Sequence, residues 1–192
     1  MEVVEFMGMP KAGKSTQVEL TETFLKHQKK ARIRNIYEGA RICPLDKSER
    51  FLYNAWSFHS TVNKLIEARI SNFDYILLDR GVYDHIAFTH ALYRSEQINE
   101  KQFEAQVKYF QEFTSLEDFV LVFMLEPEEV INRENKYYQL TGRVINLDFL
   151  TRLHNAYTEI ILGIEKRLCL IDGSRPLENN IEEVLDFLVP SC

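Results

Sequence analysis

The sequence predicts a three-layer α/β fold in which helices flank a five-stranded parallel sheet. Short apolar runs alternate along the chain with longer segments whose apolar residues recur every three or four positions. Such alternation is typical of βαβ units. A length of 192 residues and a hydrophobic content of 45% suit a single domain that spans 1–192. The predicted strands are residues 3–7, 32–37, 75–79, 119–125 and 168–172.

Helices are predicted between these strands. Asn99, followed three residues later by Gln102, has the pattern of a capping box at the start of a helix over about 99–114. Further helices are predicted near 84–93, 153–164 and 181–188, where the apolar spacing is helical. In the first helix, after the first strand, the apolar positions are Val18, Leu20, Thr21, Phe24 and Leu25.

A long helix is predicted over about 48–70. Its apolar stripe consists of Leu52, Ala55, Val62, Ile66 and Ile70, which we expect to face the core.

Composition excludes several classes of protein. The net charge of −6 argues against general nucleic-acid binding, because such binding requires a basic face. Three cysteines show neither metal-ligand spacing nor a disulfide framework, which indicates a reducing compartment. No apolar run has the length of a membrane span, and the glycine loop lies too near Met1 for a signal peptide. We therefore expect a cytoplasmic protein.

The segment Gly8–Thr16, with the sequence GMPKAGKST, predicts a phosphate-binding loop between a strand and a helix. Its two glycines allow backbone N–H groups to point at phosphate oxygens, and the helix that follows presents its N-terminus to the same anion. Lys14 would reach the β- and γ-phosphates, and the Ser15 hydroxyl would bind Mg²⁺. The alternative is an ordinary strand-to-helix turn with an exposed lysine. The predicted nucleotide-binding residues are Gly8, Lys11, Ala12, Gly13, Lys14, Ser15 and Thr16.

Charged residues follow the second and third predicted strands, at the sheet edge where ligands bind in open α/β folds. Asp79 ends an apolar strand and has the form of a group that holds Mg²⁺, together with Ser15. Its alternative role is to cap the next helix. Arg80 would neutralise charge on the transferring phosphoryl group. Glu38 is a general base, a ligand of metal-bound water, or a turn residue before Gly39; its residue type alone leaves these alternatives open.

Four segments together resemble the thymidylate kinase and deoxynucleoside kinase group of P-loop kinases. They are the loop Gly8–Thr16, the pair Asp79–Arg80, the stretch 126–133 with the sequence EPEEVINR, and Ile171–Gly173. The resemblance extends from Val3 to about Leu188. It implies the three-layer αβα P-loop NTPase fold with a helical lid at about 133–146.

The same resemblance implies roles for individual residues. Arg133 and Arg143 would belong to the lid and close on the phosphates of ATP. Glu38 would match the carboxylate that activates the acceptor hydroxyl in deoxynucleoside kinases. An alternative for Arg133 is a salt bridge on a helix surface. The loop that packs on adenine would consist of Asp172, Gly173, Ser174 and Arg175.

The acceptor side departs from the thymidylate kinase pattern. Tyr37 and Gly39 flank Glu38 where thymidylate kinases have Arg-Glu-Pro, and Thr89 stands near the position of the glutamine that reads thymine. These departures argue against thymidylate as the acceptor. Aromatic residues here would stack on a base or pack in the core. The candidate substrate residues are Tyr37, Arg41, Trp56, His59, Tyr83 and His85.

The sequence therefore predicts an enzyme, a P-loop kinase that transfers the γ-phosphoryl group of Mg-ATP to a small acceptor, with a nucleoside or nucleoside monophosphate favoured. Two alternatives remain: a kinase of a non-nucleotide acceptor or an RNA end, and a nucleotide-dependent regulatory NTPase. The resembling family also suggests a homodimer, with the helix at 48–70 in the interface.

Overall fold

A computed structural model describes residues 1–137 and 146–189 of the chain. These residues form a parallel sheet with strand order β2-β3-β1-β4-β5. The strands are β1 Glu2–Gly8, β2 Ile33–Ile36, β3 Tyr75–Asp79, β4 Phe119–Met124 and β5 Arg167–Asp172. The helices are α1 Lys14–Lys29, α2 Arg50–Arg69, α3 Val82–Arg94, α4 Glu100–Gln111, α5 Pro127–Tyr137, α6 Leu147–Ile161 and α7 Leu177–Leu188.

Helices cover both faces of the sheet, as predicted. Alternate β1 residues point to opposite faces. Val4 packs with Val18 of α1 and Val184 of α7, whereas Val3 packs with Leu65 of α2. Helices α3 and α6 lie beside each other on the α2 side. The three-layer αβα architecture with a five-stranded parallel sheet is therefore confirmed.

The buried face of α2 differs from the predicted stripe. Leu52, Ile66 and Ile70 are exposed, and Ile70 is 88% accessible. The helix instead turns polar residues inward: the Asn54 amide donates a hydrogen bond to Thr89, and both Asn54 and Ser57 line a cavity below the sheet edge. The buried α2 residues are Asn54, Ser57, Phe58, Thr61, Val62, Leu65 and Ala68.

Helix α4 begins where the capping box predicts. The Asn99 side chain accepts a hydrogen bond from the backbone N–H of Gln102, and the Gln102 side chain accepts one from the backbone of Asn99. Helix α3 begins at Val82, two residues earlier than predicted. Within the described parts of the chain, no helix is both long and apolar enough to span a membrane.

Candidate active site

The loop Gly8–Thr16 joins β1 to α1 and curls around the first turn of that helix. Gly8 adopts φ 127°, and a Cβ atom there would lie 2.2 Å from the carbonyl oxygen of Phe123 on β4. Gly13 adopts φ 92° and caps α1. Both positions require glycine because a side chain would be strained or would collide with the backbone. The N–H groups of the first turn of α1 lack helical acceptors and can bind an anion.

Lys14 lies buried inside this loop. Its Nζ donates hydrogen bonds to the carbonyl oxygens of Gly8, at 2.8 Å, and Met9, at 2.7 Å. Burial lowers the pKa of Lys14 to about 7, and the positive charge of Arg80 adds to the effect. The Lys14 amino group therefore binds its proton less strongly than the amino group of an exposed lysine does. A bound polyphosphate would raise the pKa again.

Asp79 and Ser15 meet at the edge of the sheet. The Ser15 hydroxyl donates to Asp79 Oδ2 at 2.7 Å. A guanidinium nitrogen of Arg41 contacts the same two atoms, at 2.9 Å from Ser15 Oγ and 2.8 Å from Asp79 Oδ2. The donor set fits Mg²⁺, which prefers oxygen ligands and takes few from the protein when it binds with phosphates. No cluster of three or more His, Cys, Asp or Glu side chains that could hold a metal exists among the described residues.

Arg80 forms the centre of a buried charge network. It adopts φ 72°, and its Nη1 donates to both Asp84 carboxylate oxygens, at 2.9 and 2.7 Å. Its Nε lies 3.4 Å from Glu38 Oε1, and its guanidinium lies over the ring of Phe88. The left-handed backbone turns this side chain back toward the loop, so Arg80 links the ends of β2 and β3 to the start of α3.

Asp84 connects that network to the loop Gly8–Thr16. Its Oδ1 accepts hydrogen bonds from the backbone N–H of Gly8, at 3.1 Å, and the hydroxyl of Tyr157, at 2.8 Å. Burial opposes ionisation, but the charges of Arg80 and Lys14 keep the pKa of Asp84 below its ordinary value. Sequence reasoning missed Asp84 as a site residue, although it follows Arg80 by one helical turn.

Two buried acids, Glu5 and Glu117, hold the start of α3. Glu5 accepts hydrogen bonds from the N–H groups of Gly81, Tyr83 and Asp84, and Glu117 accepts one from Val82. Together they satisfy the N–H groups that begin this helix, which explains its early start. The one available signal in the sequence was an acidic residue inside an otherwise apolar strand.

Two spaces meet at the edge of the sheet. An open groove of about 560 Å³ is lined by the loop Gly8–Thr16 and Asp79. A more enclosed cavity of about 280 Å³ lies between α2, α3 and α6, with Phe88 and Phe149 in its wall. The residues common to both linings are Pro10, Glu38 and Arg80. A ligand in the cavity would therefore face a ligand in the groove across Glu38 and Arg80.

The predicted substrate residues divide into two groups. His85 lines the cavity, and Arg41 reaches the groove side of the same region, where it lies over the ring of Tyr37. Trp56, His59 and Tyr83 do not belong to the cavity lining.

The faces that α2 and α3 present explain this division. His59 is exposed and stacks on Tyr109, while Tyr83 packs into the core near Glu117. The inward residues that sequence reasoning missed are Tyr53, Asn54 and Ser57.

A polar network fixes one wall of the cavity. The Asn54 amide donates to Thr89 Oγ1 at 2.8 Å, and its carbonyl oxygen lies 3.2 Å from His85 Nδ1. Gln106 holds the start of α2 by donating to the carbonyl oxygen of Phe51. Burial lowers the pKa of His85 to about 4, so the imidazole is neutral at pH 7.

The helix α5 contacts the loop Gly8–Thr16. Arg133 pairs with Glu129 at 3.0 Å and also donates to the carbonyl oxygen of Lys11 at 3.0 Å. Lys11 forms a salt bridge with Glu134 at 2.8 Å. Arg133 thus contacts the loop Gly8–Thr16. It also forms the salt bridge on the helix surface that was the alternative to a role in the lid. Arg143 and most of the predicted lid lie outside the described residues.

The loop after β5 also approaches the loop Gly8–Thr16. A Cβ atom on Gly173 would lie 2.9 Å from the Cβ of Ala12, so the two loops touch. Asp172 accepts hydrogen bonds from the N–H and hydroxyl of Ser174, while Arg175 pairs with Glu183 of α7. A recess of about 460 Å³ lies between this loop and the end of β4.

Comparison with known proteins supports the fold. No family model matches the sequence, and no curated protein is similar to it in sequence. The deoxyadenosine kinase from M. mycoides, solved with the products dCMP and a flexible dCDP, superimposes with a TM-score of 0.74 at 16% identity, covering 97% of this chain and 98% of that one. The dATP-bound form of that kinase gives the same score and identity over 98% and 99%. The chain therefore shares the fold of deoxyadenosine kinases, P-loop deoxynucleoside kinases, over nearly its whole length.

Proposed function

We propose that this protein is a kinase that transfers the γ-phosphoryl group of Mg-ATP to a nucleoside or nucleoside monophosphate. The observation that carries the proposal is the meeting of two spaces at Glu38 and Arg80: a groove built on a phosphate-binding loop, and a separate enclosed cavity. Phosphoryl transfer between two bound molecules requires this arrangement, because donor and acceptor atoms must approach in line.

We assign the groove to the triphosphate of ATP, which is the phosphoryl donor. The N–H groups at the start of α1 and the Lys14 ammonium would bind the β- and γ-phosphates, and the lowered pKa of Lys14 rises again when a phosphate pairs with it. Ser15 and Asp79 would hold Mg²⁺. When bound, this ion neutralises charge on the phosphate oxygens. Arg133 would join from α5 as the lid closes, and the recess beside Asp172 would receive the adenine.

We assign the cavity to the phosphoryl acceptor, a small flat molecule. Phe88 and Phe149 supply apolar walls, and Asn54 and Gln97 supply polar groups in the same lining. For a nucleoside, the acceptor hydroxyl oxygen would form a bond to the γ-phosphorus as the bond to the bridging oxygen of ADP breaks. The hydroxyl proton would pass to Glu38, which Arg80 orients from 3.4 Å. A monophosphate acceptor needs no base, because its attacking oxygen is already ionised.

The enclosed cavity favours this proposal over the alternatives. A regulatory NTPase has no need of a second ligand space beside its phosphates. A polynucleotide end would need an open basic approach, whereas the cavity is about 280 Å³ and the chain carries a net charge of −6. The two deoxyadenosine kinase structures of the same fold, bound to nucleotides, agree with a nucleoside-type acceptor.

An acceptor panel tests the proposal. Wild-type protein is incubated with γ-labelled ATP and Mg²⁺, with nucleosides, nucleoside monophosphates, a 5′-hydroxyl RNA, or no acceptor. We expect a labelled small product that disappears in Lys14→Ala and persists in Lys29→Ala, an exposed control at the other end of α1. Label on the RNA alone, hydrolysis without any phosphorylated acceptor, or unchanged transfer by Lys14→Ala would contradict it.

A further inference from the structure

Arg41 is held against the two oxygens that the proposed function assigns to the metal. It ends a short 3₁₀ turn, Gly39–Arg41, immediately after Glu38. Its Nη2 lies 2.8 Å from Asp79 Oδ2 and 2.9 Å from Ser15 Oγ. The Asp79 side chain is only 3% exposed, whereas that of Arg41 is 51% exposed. A half-exposed cation at the surface therefore covers a buried carboxylate.

The arginine and a metal ion would compete for the same atoms. A metal bound to Ser15 Oγ and Asp79 Oδ2 would occupy the lone pairs that now accept the Arg41 hydrogen bonds. Two cations within about 4 Å also repel, most strongly where solvent is excluded on one side. Arg41 can move away because half of its side chain faces solvent and a planar guanidinium can rest on the ring of Tyr37, whose centroid lies 5.4 Å away.

We propose that Arg41 is an internal cation that holds the Ser15–Asp79 pair in the nucleotide-free protein and is displaced by the metal that arrives with the nucleotide. The inference rests on the proposed function for the identity of the metal ligands. The displaced residue belongs to the same turn as Ala40, whose carbonyl oxygen accepts a hydrogen bond from Tyr53 in the acceptor cavity wall. Displacement of Arg41 by the metal is thereby coupled to the position of the turn Gly39–Arg41, which follows Glu38.

The experiment measures how strongly a metal tightens nucleotide binding. The affinity for a non-hydrolysable ATP analogue is determined by calorimetry with Mn²⁺ and again with EDTA, and the ratio of the two affinities is the metal linkage. Arg41→Gln removes the competing charge, so we expect its ratio to exceed that of the wild type by roughly tenfold. Arg41→Lys keeps a positive charge, so its ratio should lie nearer that of the wild type.

Arg32→Gln is the matched control. Arg32 also pairs with an aspartate, Asp74, but at an exposed position at the far end of the sheet. The Arg32→Gln variant should have the same metal linkage as the wild type. A ratio for Arg41→Gln equal to or lower than that of the wild type would overturn the inference, because it would mean that Arg41 assists the metal-bound nucleotide instead of competing with the metal.

Failure of the inference is distinguishable from failure of the proposed function. The binding measurement uses no acceptor and no turnover, so it reports on Arg41 even if no member of the acceptor panel is phosphorylated. Asp79→Asn removes the charged ligand and should abolish most of the metal linkage. Full linkage in Asp79→Asn would overturn the assignment of the metal ligands, and the role of Arg41 with it.

Discussion

Glu117 and Glu5 are joined by a side-chain hydrogen bond inside the protein, where both residues are fully buried. Both Glu5 oxygens and Glu117 Oε1 accept the N–H groups that begin α3. Burial raises the pKa of Glu117 well above its ordinary value, and the neighbouring charge of Glu5 raises it further. Two adjacent buried carboxylates cannot both ionise without a large cost, so the pair retains a proton. We expect that proton on Glu117, because its Oε2 accepts no hydrogen bond from an N–H or hydroxyl group whereas both Glu5 oxygens accept backbone N–H groups.

The two acids should respond differently to amide substitution. In Glu117→Gln the amide replaces the protonated carboxyl as a donor to Glu5, so we expect the free energy of unfolding at pH 5 to change by less than about 1 kcal/mol. In Glu5→Gln the amide NH₂ would face backbone N–H groups, at a cost of about 2 kcal/mol. Urea denaturation checks both values. Equal losses in the two variants would contradict the assigned position of the proton.

The pH dependence of stability tests the same proton. Because the folded pKa of Glu117 is raised, its stabilising contribution is complete below its ordinary value of 4.5 and is lost as pH rises through the folded value. Glu117→Gln has no such group. The free energy of unfolding of the wild type should therefore fall relative to that of the variant between pH 5 and pH 9. Parallel curves would show that the pair carries no extra proton.

Gly81 should not tolerate a methyl group. A Cβ atom there would lie 2.3 Å from Glu117 Oε1 and 2.8 Å from Glu5 Cδ, and both acids are fixed by their hydrogen bonds. We expect Gly81→Ala to lower the free energy of unfolding by about 1–3 kcal/mol. Gly163→Ala is the matched control, since its Cβ would meet nothing nearer than 3.6 Å. Urea denaturation of the two variants compares them, and equal stabilities would contradict the packing argument.

Nucleotide binding should be accompanied by proton uptake above pH 7. Burial and Arg80 lower the pKa of Lys14 to about 7, so at pH 8 most of this side chain is neutral in the free protein. A bound polyphosphate raises the pKa again, and one proton enters. Calorimetry in buffers of different ionisation enthalpy measures the uptake. It should approach one proton near pH 8.5 and vanish below pH 6, where Lys14 is already protonated. Uptake that is independent of pH would exclude Lys14 as its source.

Glu38→Gln should separate binding from chemistry. If Glu38 removes the proton of an acceptor hydroxyl, kcat for a nucleoside should fall about 10²–10⁴-fold while nucleotide affinity stays the same. Steady-state kinetics and calorimetry measure the two quantities. Glu49→Gln, an exposed residue before α2, serves as the control. An unchanged kcat with a nucleoside would exclude the base role, whereas an unchanged kcat with a monophosphate alone is expected, because that acceptor needs no base.

The fold was predictable where the pattern is local. The apolar pattern predicted both ends of the strand Tyr75–Asp79 correctly, and the Asn99 capping box predicted the start of α4. The face of α2 was not predictable in the same way. Its apolar residues Leu52 and Ile66 point outward because Asn54 and Ser57 are drawn inward to the cavity between helices. Burial of these polar side chains depends on residues distant in sequence that line the same cavity or form hydrogen bonds with them. The periodicity of one helix contains no information about those distant residues.

The sequence by itself predicted the curled loop Gly8–Thr16 between β1 and α1 and the charged residues at the strand ends. These features depend on neighbours in the chain: glycines that permit a curled backbone, and carboxylates placed where a parallel strand stops. Only the tertiary structure decided that Arg41 covers Asp79, that Glu5 meets Glu117 across 112 positions, and that His85 lines the cavity between α2, α3 and α6 whereas Trp56 does not. Those outcomes depend on how the elements pack, because burial and charge compensation are properties of groups that meet only in the folded chain.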